Sequence, residues 1–176
     1  MNILGIDPGL RTTGFGIIEI SQRGVSVVKG GTIQTGPVSN PLAFRLNALY
    51  DGVCALFQRY NLEALALEQL YSHYAHPVTA ILMGHARGVI CLAASKNGVP
   101  VFDYAATQIK SCITGNGRAS KEQMQKAIKG RLNLNELPTP NDIADALAVA
   151  ICHHWITSSP VAAAVSAKMR QKALKG

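Results

Sequence analysis

Four of the ten acidic residues in this chain close or open an apolar run, where a carboxylate is poorly solvated. Asp7 ends Ile3-Leu4-Gly5-Ile6, and Glu68 ends Ala64-Leu65-Ala66-Leu67. Asp142 and Asp145 open the apolar stretch from Ile143 to Ile156. An isolated buried carboxylate is costly, so such a group pairs, takes up a proton or binds a metal. A fold for this chain must give these acids partners. The rest of the chain is basic, with net charge +7. A small acidic centre in a basic surface points to a metal-dependent site that acts on a polyanion.

With 176 residues, 48% hydrophobic and 15% charged, the chain has the composition of one globular domain with a full core. Its charge favours nucleic acid or an anionic membrane as partner, but describes affinity and not chemistry. Cys54, Cys91, Cys112 and Cys152 are far apart and form no Cys-x-x-Cys pair, which excludes a zinc knuckle or a redox motif. Each sits among apolar residues, so we expect small buried thiols in a reducing compartment. Cys152-His153-His154 carries little weight as a metal cluster, because adjacent helical residues point in different directions. No basic region precedes the first strand-like segment, and no apolar run approaches the roughly 18 residues of a membrane span. A cytoplasmic protein with no membrane partner is expected.

Residues 2–7, 13–20 and 25–35 read as three strands, close enough in sequence to form an antiparallel meander. Pro8-Gly9 supplies the first turn. Leu42, Leu46, Leu49, Val53, Leu56 and Tyr60 recur at helical spacing. Residues 64–68 form a strand, and residues 77–97 a helix with Val78, Ile81, Leu82, Val89 and Leu92 on its apolar face. Asn97-Gly98 provides a left-handed stop, and residues 99–103 a fifth strand. Helix and strand alternate here, which implies a parallel half of the sheet. Ser120-Lys121-Glu122-Gln123 resembles a capping box opening a short helix to about Leu132. Thr139-Pro140 suits an N-cap followed by proline at the first helical position of a last helix reaching Ile156. Residues 1–158 therefore read as one domain. Residues 159–176 read as a basic tail, either disordered or a weak helix.

Strands ending in Asp7 and Glu68 would deliver both acids to one sheet edge if they are neighbours. Asp142 and Asp145, three residues apart, share a helical face. If that face meets the same edge, four hard oxygen donors converge, a set suited to Mg²⁺ or Mn²⁺. Two ions about 4 Å apart can activate a water and stabilise a departing oxygen in phosphodiester hydrolysis. Each acid alone has an ordinary structural reading. Asp7 could cap a turn, Asp142 and Asp145 could complement a helix N-terminus, and Glu68 could pair with a cation such as Arg87. Convergence of all four is what shifts the balance.

Gly5-Ile6-Asp7-Pro8-Gly9, followed by Arg11, Thr13, Gly14 and Gly16, resembles the start of RuvC Holliday junction resolvases. Leu67-Glu68-Gln69 is similar to that family's second acidic motif, and Gly84-His85-Ala86-Arg87-Gly88 to its Gly-x-Ala-Arg-Gly helix. Tyr104 to Lys110 resembles its next basic segment, and Asp142-Ile143-Ala144-Asp145-Ala146-Leu147-Ala148 its C-terminal acidic motif. The motifs follow in order from residue 2 to about 155. The resemblance implies an α/β, ribonuclease H-like fold, with a five-stranded mixed sheet flanked by helices, three strands antiparallel and the rest parallel. It implies a homodimer that nicks a four-way DNA junction symmetrically, cooperating with the RuvA–RuvB branch-migration machinery. Asp7, Glu68, Asp142 and Asp145 would be its metal ligands, and Lys121 would assist near the scissile phosphate. Lys110 would contact DNA, and Arg11 and Arg118 are further candidate contacts. Tyr71 occupies the place of an aromatic that stacks on an unpaired base near the crossover, where phenylalanine is expected; the ring is retained. His73 and His76 could touch phosphate or be plain surface histidines. Gly84-x-x-x-Gly88 allows close helix contact, either against the sheet or, as the resemblance implies, across a dimer.

Three other functions fit parts of the chain. An ATP-binding module shares the Gly-Ile-Asp-x-Gly turn but needs a second domain and a phosphate loop that this sequence lacks. A non-cleaving junction-binding protein would not need all four acids. A related RNA-processing nuclease of the same fold differs only in substrate.

Overall fold

The computed structural model describes residues 1–70, 77–136 and 138–158. Five strands form one sheet in the order β3-β2-β1-β4-β5. They are β1 (Asn2–Asp7), β2 (Thr12–Ser21), β3 (Gly24–Gln34), β4 (Ala64–Glu68) and β5 (Val101–Tyr104). The first three pair antiparallel, while β4 and β5 continue parallel from β1. This is the mixed sheet expected from the sequence. Its helices are α1 (Leu42–Arg59), α2 (Pro77–Lys96), α3 (Ala106–Thr114), α4 (Lys121–Arg131) and α5 (Asn141–Ser158).

Alternation along the strands sorts the core into two layers. Leu4, Ile6, Phe15, Ile17, Leu65 and Leu67 face α1 and α2. The opposite face is built from smaller groups, including Ala64 and Ala66, and it receives α3, α4 and α5. Glycines thin that second face further. A Cβ on Gly5 would lie 2.0 Å from the Ala146 carbonyl oxygen, and one on Gly14 would lie 2.2 Å from that of Asp142. One on Gly16 would lie 2.7 Å from Leu147 Cδ2. The backbone of α5 therefore rests almost directly on β1 and β2. Ala144, Ala146, Ala148 and Ala150 make α5 equally thin on its side and are all buried.

Several local expectations need correcting. Helix α3 was not expected. Its apolar signal is only Ile109 and Ile113, and its N-cap, Ala105, provides no side-chain hydrogen bond. Helix α5 begins at Asn141, with Pro140 just outside it accepting from the Ile143 N–H at 3.0 Å, so Pro140 is not the first helical residue. The Thr139–Pro140 peptide is cis. In α2 the core face is Ala86, Ile90, Ala93 and Ala94, whereas Val78, Ile81 and Leu92 are exposed. The helix is apolar on both sides, and the thinner side fits against the sheet. For the same reason Val78–Lys96 is, by length and composition, apolar enough to cross a membrane, contrary to the sequence expectation. In this fold it packs on α1 and the sheet. Among the cysteines only Cys152 is fully buried; Cys54, Cys91 and Cys112 are partly so, and all four are free thiols. The capping box on α4 is present, with Ser120 and Gln123 each bonding the other's backbone N–H. Gly98 takes the expected left-handed conformation after α2. The tail from residue 159 lies outside the described residues.

Gly5→Ala and Gly14→Ala should each lower the unfolding free energy by about 1–3 kcal/mol, because backbone atoms must move to admit the methyl group. Gly130→Ala, which meets open space on α4, should raise it by about 0.5–1 kcal/mol. Urea unfolding of the three variants checks this. Wild-type stability in Gly5→Ala would remove the close helix–sheet contact from the account.

Candidate active site

Asp7 is the last residue of β1 and Glu68 the last of β4, and these strands are parallel neighbours with Ile6 opposite Leu67. Both acids therefore leave the sheet at the same edge, side by side. On the other side of Asp7, its cross-strand partner is Gly14. The backbone of Asp142 sits against that glycine, which brings the first turn of α5 over the edge. Asp145 follows on the same face. The parts predicted separately from the sequence meet in one place.

The electrostatics record the meeting. The Asp7 carboxyl is pushed up to about 7, first by burial and then by Glu68, Asp145 and Asp142 in turn, with Lys121 opposing. Burial also raises Glu68, assisted by Asp145 and opposed by Lys110. Burial raises Asp145 as well, with Lys121 the leading opposing group. Asp7 thus feels all three of the other acids.

Two lysines complete the centre. Lys121 Nζ lies 3.4 Å from Asp145 Oδ2. The Ser120–Gln123 capping box fixes the start of α4 and so places Lys121 in its first turn. Lys110 comes from α3. Glu68, Asp145, Lys110 and Lys121 line a cleft of about 190 Å³ with an apolar floor that includes Ile109 and Met124. Helix α3, which sequence reading missed, is therefore the element that carries Lys110 to this cleft. The available signals were the Ile109/Ile113 spacing and Gly115, which ends the helix in the left-handed conformation.

The alternative pairing of Glu68 with Arg87 does not occur. The Arg87 guanidinium donates to the Glu68 backbone carbonyl and pairs with the Asp103 carboxylate. Arg11 is exposed on the β1–β2 loop at the carboxylate edge. Arg118 is exposed on the α3–α4 loop, its backbone N–H donating to Asn116 Oδ1 at 2.9 Å. Tyr71, His73 and His76 lie outside the described residues.

The four carboxylates offer hard oxygen donors, and the high Asp7 proton affinity is what a nearby divalent cation would reverse. The donor set fits such an ion in its chemistry. Among the described residues, however, no three His, Cys, Asp or Glu side chains stand close enough together to grip one. Lys121 pairs with one of the four, Asp145.

The family described as crossover junction endodeoxyribonuclease RuvC matches residues 3–153. The chain belongs to this family. A crossover junction endodeoxyribonuclease RuvC of Rhodopirellula baltica is 48% identical over 159 residues, covering 90% of this chain and 89% of that protein. The structure of Thermus thermophilus RuvC superimposes with a TM-score of 0.81 at 32% identity, covering 89% of this chain and 95% of that one. The same protein in complex with a Holliday junction substrate gives 0.81 and 32%, covering 88% and 93%. The fold is thus ribonuclease H-like, as the sequence implied. Metal dependence is typical of the family.

The raised Asp7 carboxyl has a thermodynamic consequence. An unfolded Asp releases its proton near 3.8, whereas the folded chain keeps it to about 7. Folding takes up a proton between those values, so metal-free stability should fall as pH rises from about 4 to about 7. Asp7→Asn cannot ionise. Without divalent ions it should unfold at a higher temperature than wild type at about pH 8, with the gap closing towards about pH 4. Thermal unfolding in chelator at several pH values checks this. A gap that does not change with pH would contradict the crowded, buried carboxylate.

Proposed function

We propose that this chain is a crossover junction endodeoxyribonuclease acting in the cytoplasm in homologous recombination and DNA repair. It works as a homodimer that resolves four-way junctions by paired symmetric nicks, with the RuvA–RuvB complex as partner. The observation that carries the reading is the meeting of Asp7, Glu68, Asp142 and Asp145 at one sheet edge beside Lys110 and Lys121. Family membership adds to it, and the free thiols fit a reducing compartment.

The four acids would hold divalent ions, Mg²⁺ or Mn²⁺ and two per site, which supply water activation and neutralise phosphate charge. The chain's own groups do the rest. The acids fix the edge on which the scissile phosphate lands. Lys121, held beside Asp145 at the mouth of the cleft, would donate to the phosphate and its leaving 3′ oxygen, which leaves 5′-phosphate ends. Lys110 holds a neighbouring phosphate, and Arg11 and Arg118 extend the basic track. The apolar floor of the cleft excludes water from beneath the reacting group.

Helix α2 supplies the reason to propose a dimer. Val78, Ile81, His85, Gly88 and Leu92 are exposed and alternate three and four residues apart, the spacing that a seam between two packed helices requires. A Cβ on Gly88 or on Gly84 beside it would meet open space. Small residues there let a second helix approach closely. Two sites related by a two-fold axis suit a nearly two-fold junction.

A nicking assay on a mobile four-way DNA junction with Mg²⁺ or Mn²⁺, set beside structured RNA, tests the function. Asp7→Asn should lose roughly 10³-fold or more in nicking while still binding the junction, and Lys121→Ala should lose roughly 10²-fold. Binding without metal-dependent nicking by the wild-type chain would leave a non-cleaving junction-binding protein. Preference for RNA would leave the RNA-processing nuclease.

Ile81→Glu should convert the dimer into a monomer in sedimentation and uncouple the two nicks, because a charge on the seam cannot be desolvated. A variant that stays dimeric would place the interface elsewhere.

A further inference from the structure

Among the described residues four polar side chains are buried: Thr13, Thr35, Arg45 and His153. Three of them serve a single short loop, the link from Pro8 to Arg11 between β1 and β2. The Thr13 hydroxyl donates to the Gly9 carbonyl at 2.6 Å and accepts from the Gly9 N–H at 3.2 Å. The Thr35 hydroxyl donates to the Leu10 carbonyl, and its backbone N–H donates to the Arg11 carbonyl at 3.2 Å. Arg45, reaching from the first turn of α1, donates from Nη2 to the same Leu10 carbonyl at 3.0 Å.

Arg45 is the costly member. It is 6% exposed, and its buried Nε has no hydrogen-bond partner among the described residues. No carboxylate pairs with it among those residues, so the guanidinium is held in a poorly solvated place by a backbone carbonyl alone. A buried, incompletely satisfied cation is poor stabilisation. An apolar chain of the same length would fill the space at no such cost. The next residue along the clamped loop is Arg11, which is exposed and whose guanidinium makes no hydrogen bond or ion pair among the described residues. The loop is thus hydrogen-bonded from β2, from the residue after β3 and from α1, and its one outward side chain is a cation at the carboxylate edge.

We propose that Arg45 is a positioning residue for DNA binding. Through the Leu10 carbonyl it sets the loop so that Arg11 is pre-oriented on a phosphate of the junction arm next to the cleaved strand. Pre-orientation lowers the ordering cost of that contact and strengthens binding without entering the chemical step. The inference rests on the nuclease reading above, and wild-type nicking in the same assay separates failure of that reading from failure of this one.

The experiment measures junction affinity against salt for Arg11→Ala, Arg45→Met, Arg45→Lys and the Arg11→Ala/Arg45→Met double variant. Unfolding midpoints are recorded alongside. Arg11→Ala should reduce the salt slope by about 1, as one lost phosphate contact does. Arg45→Met should weaken binding by roughly 3- to 10-fold and flatten the slope in the same direction, with kcat nearly unchanged. Arg45→Lys, which keeps a donor, should recover part of the loss. The double variant should bind no worse than Arg11→Ala, since Arg45 acts only through that arm. Additive losses in the double variant, or wild-type affinity in Arg45→Met, would overturn the proposal. So would a loss in Arg45→Met that merely tracks a fallen unfolding midpoint.

Discussion

The centre of this protein depends on how closely one helix can lie on one sheet. Helices ordinarily stand off a sheet by the thickness of two layers of side chains. Here Gly5, Gly14 and Gly16 remove the sheet's contribution, and the alanines of α5 remove most of the helix's. The first turn of α5 drops onto the strand ends as a result. Asp142 and Asp145 then share an edge with acids from β1 and β4. With ordinary side chains at those glycines the same motifs could exist in the sequence and still fail to meet.

The same geometry explains the charge at the centre. Four acids at one half-buried edge cannot all be comfortable as anions, and Asp7, the most hemmed in, shows it with a carboxyl near neutrality. Lys121 and Lys110 relieve part of that load from α4 and α3. They also leave a cleft in which two lysines and two carboxylates stand around an apolar floor. Helices α3 and α4 carry those two lysines to the cleft while Ile109, Ile113, Met124 and Ile128 anchor them in the core.

Much of this was legible in the sequence because it rested on periodicity and punctuation. Strands β1 and β4 ended where acids interrupted apolar runs. The Ser120–Gln123 box marked α4, and Gly98 marked the end of α2. What was not legible had no local signature. Helix α3 has two apolar positions and no side-chain cap. The two faces of α2 could not be told apart, since both are apolar and the choice of core face was made by steric thinness against β-strand neighbours. Arg45 looked like any charged residue on an amphipathic helix. Its burial follows from the β1–β2 loop folding back over it, a contact across 35 positions of sequence. The pairing of Arg87 with Asp103 rather than Glu68 was likewise decided by tertiary placement.

The four acids are also spread over the chain in a telling order. Asp7 belongs to the first strand and Asp145 to the last described helix. A ribosome therefore delivers the two halves of the centre at opposite ends of synthesis. A nascent chain that has folded its hairpin and β4 still lacks the helix that closes the cluster. Residues 1–68 hold five Lys or Arg and five Asp or Glu, so such a fragment has neither the net positive charge that attracts nucleic acid nor the means to cut it. Cutting competence arrives only with completion of the domain.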